Sequence, residues 1–173
     1  MTIPYRGRTS NSTYFITSST DQKKRLLQSE RMAQLLIEVL YDYRKQQKYL
    51  LHEFVVMPHH FHMLVTPCAG TTLERSLQFI KGGFSHHAHH QFGTSGQIWQ
   101  TSFHDRRVRD EQEYLGFREY IHQNPVKAGL AATAEEYPYS SAKPGFELDA
   151  VPQRLKPGSI WAFNGGLKAS STR

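Results

Sequence analysis

The stretch Met57-Pro58-His59-His60-Phe61-His62-Met63-Leu64-Val65 decides how this chain folds. Apolar side chains at every second position, Phe61, Met63 and Val65, give the period-two pattern of a strand with one face in a core. His60 and His62 fall on the opposite face, about 7 Å apart along the strand. Two imidazoles on one rigid face can supply two ligands to a divalent metal. The alternative is a polar pair on a solvated strand face, and the spacing alone leaves both readings open.

The sequence around this strand indicates a hairpin. Residues 49–56 form an apolar run, residues 57–59 a Pro-containing turn, and residues 60–66 an antiparallel partner strand. Upstream, residues 14–19 are aromatic and β-branched, which predicts a first strand. Residues 22–47 carry apolar side chains at threes and fours, which predicts a long helix capped by Ser19, Thr20 or Asp21.

The downstream sequence predicts two more helices. One runs from Leu73 to about His90, with Thr71 or Thr72 as its cap, and a strand or extended loop follows over residues 97–103. Another begins after Asp110 and is expected to end at Asn124, because Pro125 cannot continue a helix. The order β-α-β-β-α-β plus a terminal helix predicts an α+β fold. Its core would be a ferredoxin-like antiparallel sheet with helices packed on one face.

Composition narrows the class of protein. The chain has 173 residues, 38% of them hydrophobic and 21% charged, which is typical of one soluble globular domain. A formal net charge of +6 favours a polyanionic partner, with nucleic acid ahead of an anionic membrane. Cys68 is the only cysteine, so an internal disulfide and a cysteine-based zinc cluster are excluded. The absence of a signal-like or membrane-spanning run predicts a cytoplasmic location.

Three segments are expected along the chain: an N-terminal arm over residues 1–11, a domain over residues 12–141, and an irregular tail over residues 142–173. Proline and glycine punctuate the tail, where Trp161 and Phe163 are candidate anchors. We hypothesise that the tail docks onto the domain and regulates its site.

The helix before Pro125 carries the second set of candidate site residues. Tyr120 and Asn124 are four residues apart and share a helix face. The buried stripe of the same helix is expected at Tyr114, Phe117 and Ile121, which leaves the Tyr120 hydroxyl free. The Asn124 carbonyl oxygen is a hard ligand suited to Mg²⁺ or Mn²⁺. Taken singly, a half-buried core tyrosine and a helix-ending asparagine are the plainer interpretations.

Together these motifs resemble the single-tyrosine HUH nucleases, and among them the IS200-like and REP-associated tyrosine transposases. The family's Met-Pro-Asn-His-hydrophobic-His strand corresponds to residues 57–62, with His59 in place of the asparagine. Its Tyr-Ile-x-x-Asn-Pro-x-x-Ala-Gly-Leu segment corresponds to residues 120–130. Similar elements also occur at Trp99-Gln100, His104-Asp105-Arg106-Arg107 and Tyr137-Pro138-Tyr139-Ser140-Ser141. The usual Gly-Thr-aromatic turn before the first strand is replaced by Asn11-Ser12-Thr13-Tyr14.

The resemblance implies a metal-dependent nuclease and strand transferase acting on single-stranded DNA beside a hairpin, as a monomer or a homodimer. Tyr120 would attack the phosphodiester and form a 5′-phosphotyrosine link. His60, His62 and Asn124 would bind Mg²⁺ or Mn²⁺. Basic and aromatic side chains near these motifs are the expected DNA contacts. They are Lys81, Trp99, Phe103, Arg106, Arg107, Arg109 and Lys127.

Three other interpretations were weighed. The His86-His87-Ala88-His89-His90 cluster repeats the His-x-His spacing, but in a helix residues two apart point about 200° apart, which favours a solvated or DNA-facing helix. A histidine-triad nucleotidyl hydrolase would need a third histidine where Leu64 stands. A non-catalytic hairpin-binding protein would not need the combination of His60, His62, Tyr120 and Asn124.

Overall fold

The computed structural model describes residues 12–152 and Leu155. Its regular elements alternate in the predicted order. They are β1 (Tyr14–Ser19), α1 (Glu30–Lys45), β2 (Tyr49–Met57), β3 (His60–Pro67), α2 (Leu73–Phe92), β4 (His104–Arg107) and α3 (Glu111–Lys127).

The four strands form one antiparallel sheet in the order β2-β3-β1-β4. β1 lies in the middle because the α1 crossover places β2 two positions away and the β2–β3 hairpin returns beside β1. The ferredoxin-like α+β fold expected from the sequence is therefore confirmed.

The two faces of the sheet are covered by different helices. α1 and α2 pack on the face that carries Ile16, Phe61 and Met63, which are all fully buried. α3 packs on the opposite face through Tyr114 and Ile121. The expectation of helices on one face thus holds for α1 and α2, whereas the last helix covers the side that carries the two histidines.

The first helix begins later than predicted. Residues 21–23 and 26–28 form two short 3-10 turns, and Gln22 and Lys23 have positive φ angles of 51° and 53°. α1 itself starts at Glu30, where the Ser29 hydroxyl accepts a hydrogen bond from the Met32 N–H. The predicted caps Ser19, Thr20 and Asp21 are wrong, because the chain must first turn out of the sheet and bury Leu27.

The last helix continues past the predicted stop at Asn124. Pro125 lies inside α3, which ends at Lys127. The N–H of Gly129, whose φ is 68°, donates to the Val126 carbonyl, and the N–H of Leu130 donates to the Pro125 carbonyl. This is a Schellman ending, so Gly129 terminates the helix and the proline removes only one hydrogen bond near its end.

The fourth strand lies just beyond the segment predicted for it. Residues 97–103 are mostly irregular, with one isolated bridge between Thr20 and Trp99, and the strand itself is His104–Arg107. All four side chains of this strand are polar, so the alternation of apolar and polar residues that indicates a strand is missing. A short edge strand does not require that alternation.

The segment after Ser140 is docked onto the domain. Phe146 and Leu148 pack against the core beneath α1, and Asp149 forms a 2.8 Å ion pair with Arg44. The Asp149 N–H also donates to the Leu51 carbonyl of β2. The arm over residues 1–11 and the anchors Trp161 and Phe163 lie outside the described residues.

Among the described residues, none of the helices combines the length and the apolar character that crossing a bilayer requires.

Candidate active site

His60 and His62 project from the α3 side of β3, and their rings converge. The two Nε2 atoms are 3.1 Å apart. Two ligands about 2.1 Å from one ion and at right angles to each other would be about 3.0 Å apart, so this separation suits a shared divalent cation. The intervening Phe61 is fully buried on the other face, as the alternation predicts.

Both histidines are held in the neutral form that binds metals. Burial, together with the neighbouring His60, lowers the pKa of His62 to about 3. Burial also lowers the pKa of His60 to about 4, with a contribution from His59. At neutral pH each ring therefore carries a lone pair on one nitrogen.

The outer ring nitrogens have partners. The Nδ1 of His62 is 2.8 Å from the Thr17 hydroxyl of β1, and the Nδ1 of His60 is 3.0 Å from the Nδ1 of His59. Metal-binding histidines usually use the second ring nitrogen in this way, which fixes the ring and frees Nε2. His104 of β4 pairs with Thr17 of β1, so it lies on the same face of the sheet as His60 and His62.

Tyr120 of α3 lies beside this pair. Its ring centroid is 5.2 Å from that of His62 and 5.7 Å from that of Phe15, with edge-on geometry in both cases. The side chain is 43% exposed although its helix is packed on the sheet. One chain thus brings an accessible phenol next to the two imidazoles.

Asn124 lies one turn further along the same helix and is half-buried. No cluster of three or more His, Cys, Asp or Glu side chains that could hold a metal occurs within residues 12–152 and at Leu155. A three-ligand site here would therefore need a neutral oxygen ligand, and the Asn124 amide is of that type.

A buried carboxylate anchors α3 to the sheet, and the sequence interpretation missed it. Glu53 of β2 is only 5% exposed. Its Oε1 accepts from the Arg118 Nε at 3.0 Å, and its Oε2 lies 2.8 Å from the His122 Nε2 and accepts from the Ser141 hydroxyl at 2.6 Å. Arg118 and His122 flank Tyr120 on the helix, so this cluster fixes the position of the tyrosine.

A β-bulge explains why Glu53 was missed. In β2, Leu51 pairs with Val65 while Glu53 pairs with Leu64, so His52 is an extra residue. Strict alternation would have placed Glu53 with Leu51 on the α1 and α2 side. The bulge turns it towards α3, and a charged residue within a strongly apolar strand was the available signal.

A pocket opens next to Tyr120. It has a volume of about 350 Å³ and is lined by Phe15, Arg106, Glu113, Gly116, Phe117 and Tyr120. The rings of Phe15 and Phe117 are stacked 4.5 Å apart, and the Arg106 guanidinium lies 5.6 Å from the Phe117 ring centroid.

The expected DNA contacts fall into two groups. Lys81, Trp99 and Phe103 line a groove of about 440 Å³ between α2 and the loop before β4. Lys81 donates to the Gln100 carbonyl there, and burial lowers its pKa. The other group comprises Arg106 and Arg107 of β4, Arg109 just before α3, and Lys127 at the end of α3.

Not all of these side chains are equally available. Trp99 is 5% exposed and packs edge-on against Phe61 and Phe84, so its ring is part of the core here and its contact with DNA stays a prediction. Arg107 pairs with Tyr14 and lies on the α1 and α2 side of the sheet, whereas Arg106 pairs with Phe15 on the α3 side. Arg109 is exposed and forms a 3.0 Å ion pair with Glu113.

The histidine cluster of α2 does not form a second centre. His86 and His90 stack with ring centroids 6.3 Å apart on a helix, as their four-residue spacing predicts. Without a carboxylate or a cysteine beside them, they belong to the helix surface.

Comparison with known proteins identifies the family of this chain. The model of the IS200-like transposase family matches residues 8–124. A REP-associated tyrosine transposase from Escherichia coli strain K12 is 25% identical over 163 residues, covering 91% of this chain and 92% of that protein. A Haemophilus influenzae strain Rd protein, provisionally described in the same words, is 23% identical over 180 residues and covers 94% of each chain.

A solved structure gives the same fold. The structure of a REP-associated tyrosine transposase bound to a REP hairpin matches with a TM-score of 0.68 at 23% identity, covering 99% of this chain and 100% of that one. The chain belongs to the IS200-like transposase family, and the relatives that it resembles over most of its length are REP-associated tyrosine transposases.

Proposed function

We propose that this protein is a metal-dependent single-strand DNA endonuclease and strand transferase that acts beside hairpins through a covalent link to Tyr120. The observation that carries the proposal is the exposed Tyr120, whose ring centroid is 5.2 Å from that of His62, beside the His60 and His62 Nε2 atoms that lie 3.1 Å from each other. A nucleophile beside a cation site is the arrangement that phosphoryl transfer requires.

The proposed reaction proceeds in two balanced steps. The Tyr120 oxygen attacks the phosphorus of a phosphodiester, the bond to the 3′ oxygen breaks, and the 5′ phosphate becomes linked to the tyrosine. The phenol proton leaves to a base or to water, and the leaving 3′ oxygen takes up a proton. In the second step a 3′-OH attacks the phosphorus of the phosphotyrosine and loses its proton, the bond between the phosphorus and the Tyr120 oxygen breaks, and the phenol takes up a proton. The strand is thus rejoined without ATP, because the phosphodiester energy is kept in the link.

The residues present fit a divalent cation, which we propose is Mg²⁺ or Mn²⁺. His60 and His62 would hold it, with Asn124 as the third ligand. Neutral rings with their outer nitrogens already paired suit this role. When bound, such an ion polarises the phosphate and stabilises negative charge on its oxygens.

Charge and the solved relative support a DNA substrate. That relative is described as bound to a REP hairpin, and this chain carries a net charge of +6. We propose that Arg106, Arg109 and Lys127 contact the backbone of the attacked strand. Lys81 and Phe103 line a separate groove that suits a second DNA segment.

We also propose that one chain is sufficient for the reaction. Tyr120 lies beside His62 of its own chain, so a monomer contains both halves of the site. A mixture of Tyr120→Phe and His62→Asn proteins should form DNA adduct no faster than His62→Asn alone, because neither chain has a complete site. Faster adduct formation by the mixture would show that helices are exchanged between two chains of a homodimer.

The function is tested with end-labelled single-stranded hairpin oligonucleotides and Mn²⁺. The wild type should form a protein–DNA adduct that survives denaturation, EDTA should prevent it, and Tyr120→Phe should lack it. The buried Tyr114→Phe, on the same helix, is the matched control and should retain it. Tight hairpin binding without cleavage would instead favour a non-catalytic hairpin-binding protein. Hydrolysis of free nucleotides that survives Tyr120→Phe would favour a nucleotidyl hydrolase.

A further inference from the structure

We propose that the pocket beside Tyr120 holds one nucleobase of the DNA strand whose phosphate is attacked, and that Gly116 keeps this pocket open. The proposal rests on the function proposed above, since it is that function which brings DNA to Tyr120. The pocket volume of about 350 Å³ is at the lower end of the roughly 300–1,000 Å³ found for small-molecule sites. That size suits a single base rather than a duplex.

The lining of the pocket has the chemistry of a base-stacking site. Phe15 and Phe117 are stacked 4.5 Å apart with an angle of 7° between their planes, and Tyr120 meets Phe15 edge-on. Phe15 also stacks with His62, with ring centroids 5.4 Å apart, so a base would contact the ring edges of Phe15 and the part of Phe117 that does not meet Phe15. Pre-ordered aromatic rings are the platforms on which proteins stack unpaired bases.

The polar edge of the pocket suits the phosphate that accompanies a base. Arg106 lies over Phe117 and is held there by Glu113 at 3.1 Å, yet its side chain is 64% exposed. Glu113 also binds Arg109, both at its guanidinium and at its backbone N–H. The carboxylate is thus occupied by arginines, which orient a cation towards the pocket rather than repel DNA from it.

Gly116 is the residue that keeps this space free. It lies in the middle of α3, where glycine is about 0.5–1 kcal/mol less favourable than alanine. A Cβ built at this position meets no heavy atom within 4 Å. Helix packing therefore does not require glycine here, whereas an open pocket does.

The test measures binding of DNA by the unreactive Tyr120→Phe protein, which retains the ring at the pocket wall. The probe is the single-stranded oligonucleotide that this protein binds most tightly from a pool in which one hairpin is flanked by randomised nucleotides. Abasic sites are then placed one at a time along its flanks. We expect one position to weaken binding by about 5- to 150-fold, the range for loss of one base–aromatic stack.

Gly116→Leu should weaken binding of the intact probe by a similar factor. The affinity of this variant should then be the same whether or not that position carries a base. The matched control is Gln112→Leu, an exposed residue of α3 that does not line the pocket, and it should change neither property. The fluorescence of a 2-aminopurine base placed at the sensitive position should be quenched when the Tyr120→Phe protein binds. This measurement does not depend on whether the Gly116→Leu variant folds.

Equal binding of all abasic probes, or an unquenched 2-aminopurine at every position, would overturn the proposal. Adduct formation by the wild type is measured in parallel. Adducts without any sensitive position would refute the base pocket and leave the proposed function intact. A sensitive, quenched position without adducts would support the pocket and refute the reaction.

Discussion

The two faces of the sheet are built from the same strands, but one carries apolar side chains and the other carries polar side chains next to Tyr120. On the α1 and α2 face, residues such as Phe61 and Met63 are fully buried by apolar neighbours. On the α3 face, His60 and His62 alternate with them and direct their Nε2 atoms towards each other, and the ring of His62 lies beside that of Tyr120. One face stabilises the fold, and the other holds polar groups in a geometry that a stable core alone would not require.

This comparison is tested most strongly by neighbouring residues of β3. Phe61→Ala should lower the free energy of unfolding by about 3–5 kcal/mol while leaving adduct formation by the remaining folded protein close to normal. His62→Asn should slow adduct formation by about 10²- to 10³-fold, the usual effect of losing one group that stabilises the transition state. Chemical denaturation and the Mn²⁺-dependent adduct assay measure the two effects. Equal losses of activity in both variants would contradict the division between the faces.

The Glu53 cluster is where the α3 face contributes to stability as well as to function. Glu53→Gln should lower the free energy of unfolding by about 1–3 kcal/mol, because a buried group loses charged partners. It should also slow adduct formation, since Arg118 and His122 hold the helix that carries Tyr120.

Arg44→Gln is the control for Glu53→Gln. Arg44 of α1 pairs with Asp149 beside Leu51 of β2, in a partly exposed ion pair worth about 0–1 kcal/mol. This variant should leave adduct formation unchanged. If both variants slow adduct formation equally, the slower reaction results from lower overall stability, and the proposal that Glu53 anchors α3 is wrong.

The two histidines of the α3 face should also make the stability of the metal-free protein depend on pH. The folded-state pKa values of His62, about 3, and of His60, about 4, are far below the ordinary value. As pH falls below about 6.5, the unfolded chain binds protons that the folded chain does not. The free energy of unfolding should therefore fall by about 1.4 kcal/mol per pH unit for each such histidine, until the folded-state pKa is reached.

His62→Asn should reduce this slope by the contribution of one histidine. Urea denaturation in EDTA between pH 7 and pH 4 measures both proteins. Identical slopes would mean that His62 is charged in the folded state, which would also weaken the case for a metal ligand.

Much of this difference between the two faces of the sheet could be predicted from the sequence, because the side chains of β3 alternate regularly between the faces. Alternation from Phe61 to Val65 placed the histidines on one face, and helical periodicity placed Tyr120 at the edge of the stripe of Tyr114 and Ile121. What failed depended on contacts distant in sequence. The bulge at His52 turned Glu53 to the site, and the side of the sheet that α3 covers follows from tertiary packing.

The errors at element ends also have local physical causes. Pro125 suggested a helix end, but the Schellman bonds at Gly129 determine it. The resemblance made Trp99 a candidate DNA contact, yet its ring packs against Phe61 and Phe84. An aromatic residue in a polar loop is ambiguous until its burial is known.

The central claim is that the α3 face performs covalent chemistry at one tyrosine, and mapping of the DNA adduct tests it most directly. Wild-type protein is incubated with single-stranded hairpin DNA and Mn²⁺, digested with nuclease and protease, and analysed by mass spectrometry. We predict a nucleotide linked through its 5′ phosphate to the peptide that contains Tyr120, and no modification of Tyr49, the buried tyrosine of the opposite face. A nucleotide on any other residue, or DNA cleavage without a covalent link, would contradict the account.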